Sequence, residues 1–232
     1  MLKFWKRLNE LYGWLIIAVF GCIMIIGAWQ IYDNYYLFHH TIDESVLRYK
    51  PDPSDPTASD DSPISDEMVG WLTIDGTNID YPVMQGNDNI RFLNTDPFGN
   101  YSMTGSIFLD SRCSPDFSDG FSVIYGHHMD YGKMFGALDD FMDEAYLRSH
   151  ETGTLMIGRN AEKVCKLRVF ASARTDAREK TVFDLDQDGI RQYIHNKAEV
   201  LTAESSERII ALSTCTDSDT VTRTVVFCYI YE

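Results

Sequence analysis

Three side chains in this sequence carry the parts of one reaction. Cys215 ends the run Ala211, Leu212, Ser213, Thr214, Cys215; Arg223 follows eight residues later, and Tyr125, Gly126, His127, His128 lie upstream. A thiol, an imidazole and a guanidinium suffice for acyl transfer through a thioester: the thiolate attacks, the imidazole moves the proton and the cation holds the developing oxyanion. A buried structural cysteine is the competing reading for Cys215 taken alone, because free cysteine is among the most buried residue types.

The elements around these residues decide whether they meet. Ile209, Ile210, Ala211 and Leu212 form a short, β-branched apolar run, which predicts a buried strand with Cys215 at its end. After a polar stretch, residues 223–231 are again apolar and rich in Val, Phe and Tyr, so a neighbouring strand brings Arg223 back towards Cys215. A cation there lowers a thiol pKa. Residues 121–125 read as a further strand, Gly126 permits a tight backbone, and His127 and His128 follow where strand gives way to loop. Successive strand residues face opposite sides, so only one of these two histidines faces Cys215.

Taken in order, Gly126-His127, Leu212-Ser213-Thr214-Cys215 and Arg223 resemble the signature of sortases, the cysteine transpeptidases of Gram-positive cell surfaces. The resemblance runs from about Val69 to the C-terminus. WLTIDGTNIDYPV at 71–83, QGNDN at 85–89, GSIFLD at 105–110, and YGHHM at 125–129 with Met134 and Phe135 are similar to class B sortases in particular. It implies that His127 is the catalytic histidine, Cys215 the nucleophile and Arg223 the arginine, with His128 a non-catalytic neighbour. Asn89, Leu93, Tyr125, Ser213 and Thr214 then fall where class B enzymes line the substrate groove, and residues 175–183 where an insertion walls it. Ala211 stands where many sortases have Thr. The implied partners are secreted proteins with a Thr-containing C-terminal sorting signal and an amine of a peptidoglycan precursor or cross-bridge. No metal or organic cofactor is implied, and Asp217 is not expected to join the catalytic set, since a carboxylate facing a thiol raises its pKa.

Frequent short strands, near 70–75, 79–84, 105–110, 121–126, 153–158, 163–173, 207–214 and 223–231, favour a closed barrel or sandwich, mainly β with peripheral helices. The sortase resemblance selects the eight-stranded barrel. Helices are expected near 88–94, 134–149 and 187–197. Residues 11–31 hold no charge and are long enough to cross a bilayer. Lys3, Lys6 and Arg7 precede that run, which predicts residues 1–10 in the cytoplasm, a transmembrane helix at 11–32 and the catalytic part outside, on the cell surface. Residues 33–64 are expected to form an amphipathic juxtamembrane helix, on Tyr35, Phe38, Ile42, Val46 and Tyr49, and then an acidic, Pro-rich loop, leaving 65–232 as the catalytic domain.

The formal charge of −15 becomes −17 once the first ten residues, three basic and one acidic, are set aside. So acidic a body argues against nucleic acid as a partner. The five cysteines form no disulfide framework: Cys22 lies in the apolar run, Cys165 and Cys228 alternate with core residues, and Cys113 has only Arg112 beside it. Asp184, Asp186, Asp188 and Gly189 imitate the start of a calcium loop, but His195 occupies the position of its bidentate Glu, and capping of a helix by Asp186 is the better account. Asp96-Pro97-Phe98 reads as a turn.

Overall fold

The uncharged run folds as the middle of one long helix, α1 (Leu2–His40), whose side chains, Leu15, Ile17, Phe20, Ile25 and Trp29 among them, are exposed all round. In this computed structural model residues 2–40, 44–55, 61–215 and 221–232 are described. They fall into two compact units, Met1–Asp43 and Glu44–Glu232. Within the first, α1 continues to His40, well beyond the expected end of the apolar span. The stretch Leu2–Tyr32 is long and apolar enough to cross a membrane.

The second unit opens with a 3-10 turn, Glu44–Tyr49; of the stretch expected to form an amphipathic helix, residues 35–40 belong to α1 and Ile42 lies outside the described residues. Val46 is buried as its spacing requires, and Lys50 follows with an ion pair to Asp80 at 2.7 Å. Nine strands come next: β1 (Met68–Ile74), β2 (Asp80–Met84), β3 (Ile107–Leu109), β4 (Phe121–His127), β5 (Thr152–Ile157), β6 (Lys163–Asp176), β7 (Val200–Leu201), β8 (Arg208–Cys215) and β9 (Thr222–Tyr231). Eight of them close a barrel in the order β5-β1-β2-β3-β4-β8-β9-β6, with β6 pairing back to β5 and β7 flanking β6. The β2–β3 and β4–β8 pairs are parallel and the others antiparallel. Closure removes the exposed edges on which strands of other chains could pair.

Alternation along the strands builds the core. Phe121 and Val123 of β4, Ile209 and Ala211 of β8, and Val225 and Phe227 of β9 meet Phe170 and Ala171 of β6 in one buried cluster. Tyr229 stacks on Phe170 with ring centroids 3.7 Å apart. Each such side chain contributes roughly 1.5–3 kcal/mol on full burial. Ala211 is fully buried here, so the residue that departs from the family pattern is a core residue.

Helical pieces are shorter than expected. The 134–149 segment divides into a 3-10 stretch, Gly136–Met142, and α2 (Glu144–Ser149), because Asp143 leaves the helical region and its side chain accepts from Tyr146 N at 2.9 Å, starting a new helix. The 88–94 segment keeps only the 3-10 turn Arg91–Leu93, and the third expected helix is α4 (Ile190–Lys197), preceded by a short α3 (Lys180–Phe183). Ile190 and Ile194, one turn apart, anchor α4 to the barrel core. Asp186 sits just ahead of α4 and accepts from Gly189 N at 3.0 Å, which closes the entry turn. Asp96 forms a turn as expected, accepting from Phe98 N and Asn100 N.

Candidate active site

Parallel pairing of β4 with β8 sets the centre of the site. Its register runs from Phe121 opposite Ile209 to His127 opposite Cys215, so the last residues of the two strands lie level on neighbouring strands, about 4.8 Å apart in backbone spacing. On the other side of β8, the antiparallel register matches Leu212 with Val226 and Ser213 with Val225. Arg223 lies two residues before Val225 on β9, and its guanidinium reaches Thr214, the residue before Cys215. Three strand ends therefore bring together the three residues singled out in the sequence. Gly126 is needed for this approach: a Cβ there would collide with Ile107 and Phe135.

His127 is half-buried, and its Nε2 lies 2.8 Å from the carbonyl oxygen of Leu93. A carbonyl only accepts, so this contact assigns a proton to Nε2 and leaves Nδ1 as the nitrogen that exchanges one. The carbonyl is itself held. Asp88 Oδ1 accepts from Ile90 N and Arg91 N, Ser106 N donates to Phe92 O, and Gly105, at φ +57°, packs against the Phe92 and Leu93 carbonyls where no Cβ fits. His128 points elsewhere and pairs with Asp139 at 2.9 Å.

Arg223 is half-buried on β9. Its Nη1 donates to Thr214 O at 2.9 Å, its guanidinium lies 5.6 Å from the centroid of the Phe183 ring, and its buried Nε has no partner among the described residues. A groove of about 350 Å³ opens between these groups, lined by Asn89, Leu93, Phe108, Tyr125, His127, Ala177, Phe183 and Arg223. Asn89, Leu93 and Tyr125 thus stand in the groove wall. Ser213 and Thr214 lie beside it with their side chains buried: the Ser213 hydroxyl donates to Thr214 O, and Thr214 Oγ1 accepts from Thr224 N at 3.2 Å. Ala177 and Phe183 come from the 175–183 segment. Phe108 carried no sequence signal beyond its apolar run. Asp217 lies outside the described residues.

Asp110 also went unread in the sequence. It is fully buried behind the groove, where burial pushes its carboxyl up but hydrogen bonds from Arg112, then its charge, then Asn89, outweigh that and hold it below the ordinary carboxylate range. Three further thiols, Cys113, Cys165 and Cys228, are buried in the barrel unit. Cys113 is buried, which pushes it up to about 11, and burial raises Cys165 and Cys228 as well.

The sortase domain family model matches residues 72–230. Sortase B of Staphylococcus aureus (strain NCTC 8325 / PS 47) is 31% identical over 174 residues, 70% of each chain. Sortase B of Listeria monocytogenes serovar 1/2a (strain ATCC BAA-679 / EGD-e) is 30% identical over 218 residues, 87% of this chain and 88% of the relative. Among solved structures, a Streptococcus pyogenes class B sortase involved in pilus biogenesis superposes with a TM-score of 0.65 at 33% identity, covering 73% of this chain and 94% of that one.

Proposed function

The chain belongs to the sortase family, with class B sortases as its relatives, and from that premise we propose a membrane-anchored cysteine transpeptidase that cleaves a Thr-containing sorting signal. The observation that supports this reading is the parallel register that sets Cys215 level with His127, with Arg223 donating to the carbonyl of the neighbouring Thr214 and lining a groove together with His127.

The Cys215 thiolate attacks the carbonyl carbon of the Thr, and the electron pair of the C=O bond moves to oxygen. Arg223 meets that oxyanion with its guanidinium, whose planar set of donors suits a developing negative charge. The tetrahedral adduct collapses as the C–N bond breaks, and His127 gives the departing amine a proton from Nδ1. Leu93 O keeps the ring in place throughout, since it accepts from Nε2 in both protonation states. A thioester between Cys215 and the Thr acyl group remains. The amine of a peptidoglycan precursor or cross-bridge then attacks, His127 takes its proton, and the thiolate leaves with an amide formed.

Asn89, Leu93, Tyr125 and the 175–183 segment supply the groove that holds the signal, and Ser213 and Thr214 shape its floor through the backbone. Residues 11–32 span the membrane with Lys3, Lys6 and Arg7 on the cytoplasmic side, which puts the catalytic part outside, where sorted proteins emerge. Hydroxylamine tests the chemistry, because it intercepts thioesters. Incubation with a Thr-containing signal peptide and hydroxylamine is expected to yield the peptide hydroxamate at the Thr, dependent on Cys215. Release of the free acid alone at every hydroxylamine concentration contradicts transfer to an amine.

A further inference from the structure

Asp110 follows β3 directly, and its carboxylate is saturated by donors from three directions. Oδ1 accepts from Arg112 N at 3.0 Å and Arg112 Nε at 2.9 Å. Oδ2 accepts from Arg112 Nη2 at 2.7 Å, Asn89 Nδ2 at 2.9 Å and Tyr125 OH at 3.1 Å. The Asn89 amide is fixed at its other end too, its Oδ1 accepting from Ser111 N at 2.8 Å. Arg112 then reaches out of this buried cluster: Nη2 also donates to Phe183 O at 2.6 Å. That carbonyl belongs to the last residue of α3, where a helix leaves its carbonyls without intrahelical partners, so the guanidinium caps the helix as it ties it down. Asn89, Tyr125 and Phe183 all line the groove, and they come from a loop, a strand and a helix. The Tyr125 ring stacks on that of Phe183 at 6.4 Å.

We propose that Asp110 and Arg112 are positioning residues that set the selectivity of the groove: the buried carboxylate fixes Asn89 and Tyr125, and Arg112 latches the Phe183 wall against them. Neither residue touches the reacting atoms. The proposal rests on the groove being the site where the peptide ahead of the scissile Thr binds. A wall of only four helical residues has little hold of its own, and the planar fork of Arg112 bridges it to the barrel in a way that a lysine's single ammonium cannot copy.

The test compares Arg112→Gln and Arg112→Lys with the parent in the full chain, each variant first shown to be folded by circular dichroism, because Arg112 pairs with the buried Asp110. Two readouts are taken: cleavage of a pool of quenched fluorescent peptides varied at the positions ahead of Thr, and hydrogen exchange at the amides of Phe183, Asp184 and Asp186, which bond within and just after α3. Loss of an interaction that holds ground state and transition state alike raises KM and spares kcat; Arg112→Gln is therefore expected to raise KM about tenfold, change kcat less than threefold and flatten the preference among peptides. Exchange at the three amides accelerates, and Arg112→Lys lies between the two. An unchanged KM and preference in an active Arg112→Gln protein overturns the proposal. So does a fall in kcat with KM unmoved, which marks a general structural effect. If the parent cleaves none of the peptides, the functional reading has failed by itself, and unchanged α3 exchange in Arg112→Gln still overturns the latch.

Discussion

His127 and His128 are chemically identical neighbours, and only their surroundings separate them: one is held by Leu93 O beside Cys215, the other by Asp139 on the surface. Replacement of His127 by Ala, or of Cys215 by Ala, is accordingly expected to abolish peptide cleavage, while His128→Ala keeps most of it; a dead His128→Ala beside a working His127→Ala reverses the assignment. Arg223→Lys retains the charge but loses the planar fork that donates to Thr214 O. Steady-state rates should fall on the order of a hundredfold, the usual cost of an oxyanion donor, and near-normal turnover would leave Arg223 only a long-range electrostatic role. The places of these three residues in the fold were legible in the sequence because each ends or begins an apolar run, so that strand geometry dictates where it lies. Asp110 was not legible. An Asp closing the run GSIFLD looks like any turn residue, and its burial depends on Asn89, Arg112 and Tyr125 converging from positions that only the closed barrel brings together.

Among the elements, the eight barrel strands could be read from apolar runs and β-branched residues, since each must bury a face whatever its partners. Parallel pairing of β4 with β8, which levels His127 with Cys215, could not, because strands distant in sequence carry no local record of each other. Helices were misjudged where a side chain competed with the backbone: Asp143 splits the 134–149 segment and Asp88 confines the next piece to one 3-10 turn. That turn has a function of its own, since it presents Leu93 O to His127. Gly105 lets the turn approach, with φ +57° and no room for a Cβ beside the Phe92 and Leu93 carbonyls. Gly105→Ala is therefore expected to move the carbonyl off the imidazole and to lower kcat by at least about tenfold, within the range general acid–base catalysis supplies, in a protein that still folds by circular dichroism. Undiminished kcat in that variant shows that the turn does not position His127. Grafting residues 175–183 from a class B sortase of different preference should alter which side chains are accepted ahead of the Thr, and an unchanged profile in an active chimera leaves the segment a covering role only.

Across the chain, three basic residues precede the apolar run and the remainder is strongly acidic, the asymmetry on which the proposed orientation rests. Asp110 is expected to contribute to the barrel's response to acid. Its folded carboxyl lies below the ordinary range, so its contribution is fully present above that range and is lost as pH falls through the depressed value. Thermal unfolding of Asp110→Asn at neutral pH is expected to reveal a loss of about 2 kcal/mol, discounted because Arg112 is half-exposed, and a shallower decline towards pH 3 than the parent shows. A parent and variant that decline in parallel remove Asp110 from the pH response. The central claim is that Cys215 carries an acyl group from a sorting signal, and intact-mass and peptide-mapping mass spectrometry of the full chain, incubated with a pool of Thr-containing signal peptides, tests it most directly. The account predicts a hydroxylamine-sensitive adduct on Cys215 alone, ending in the Thr acyl group and absent from Cys215→Ala; peptide cleavage that persists in Cys215→Ala, or an adduct on Cys113, Cys165 or Cys228 instead, contradicts it.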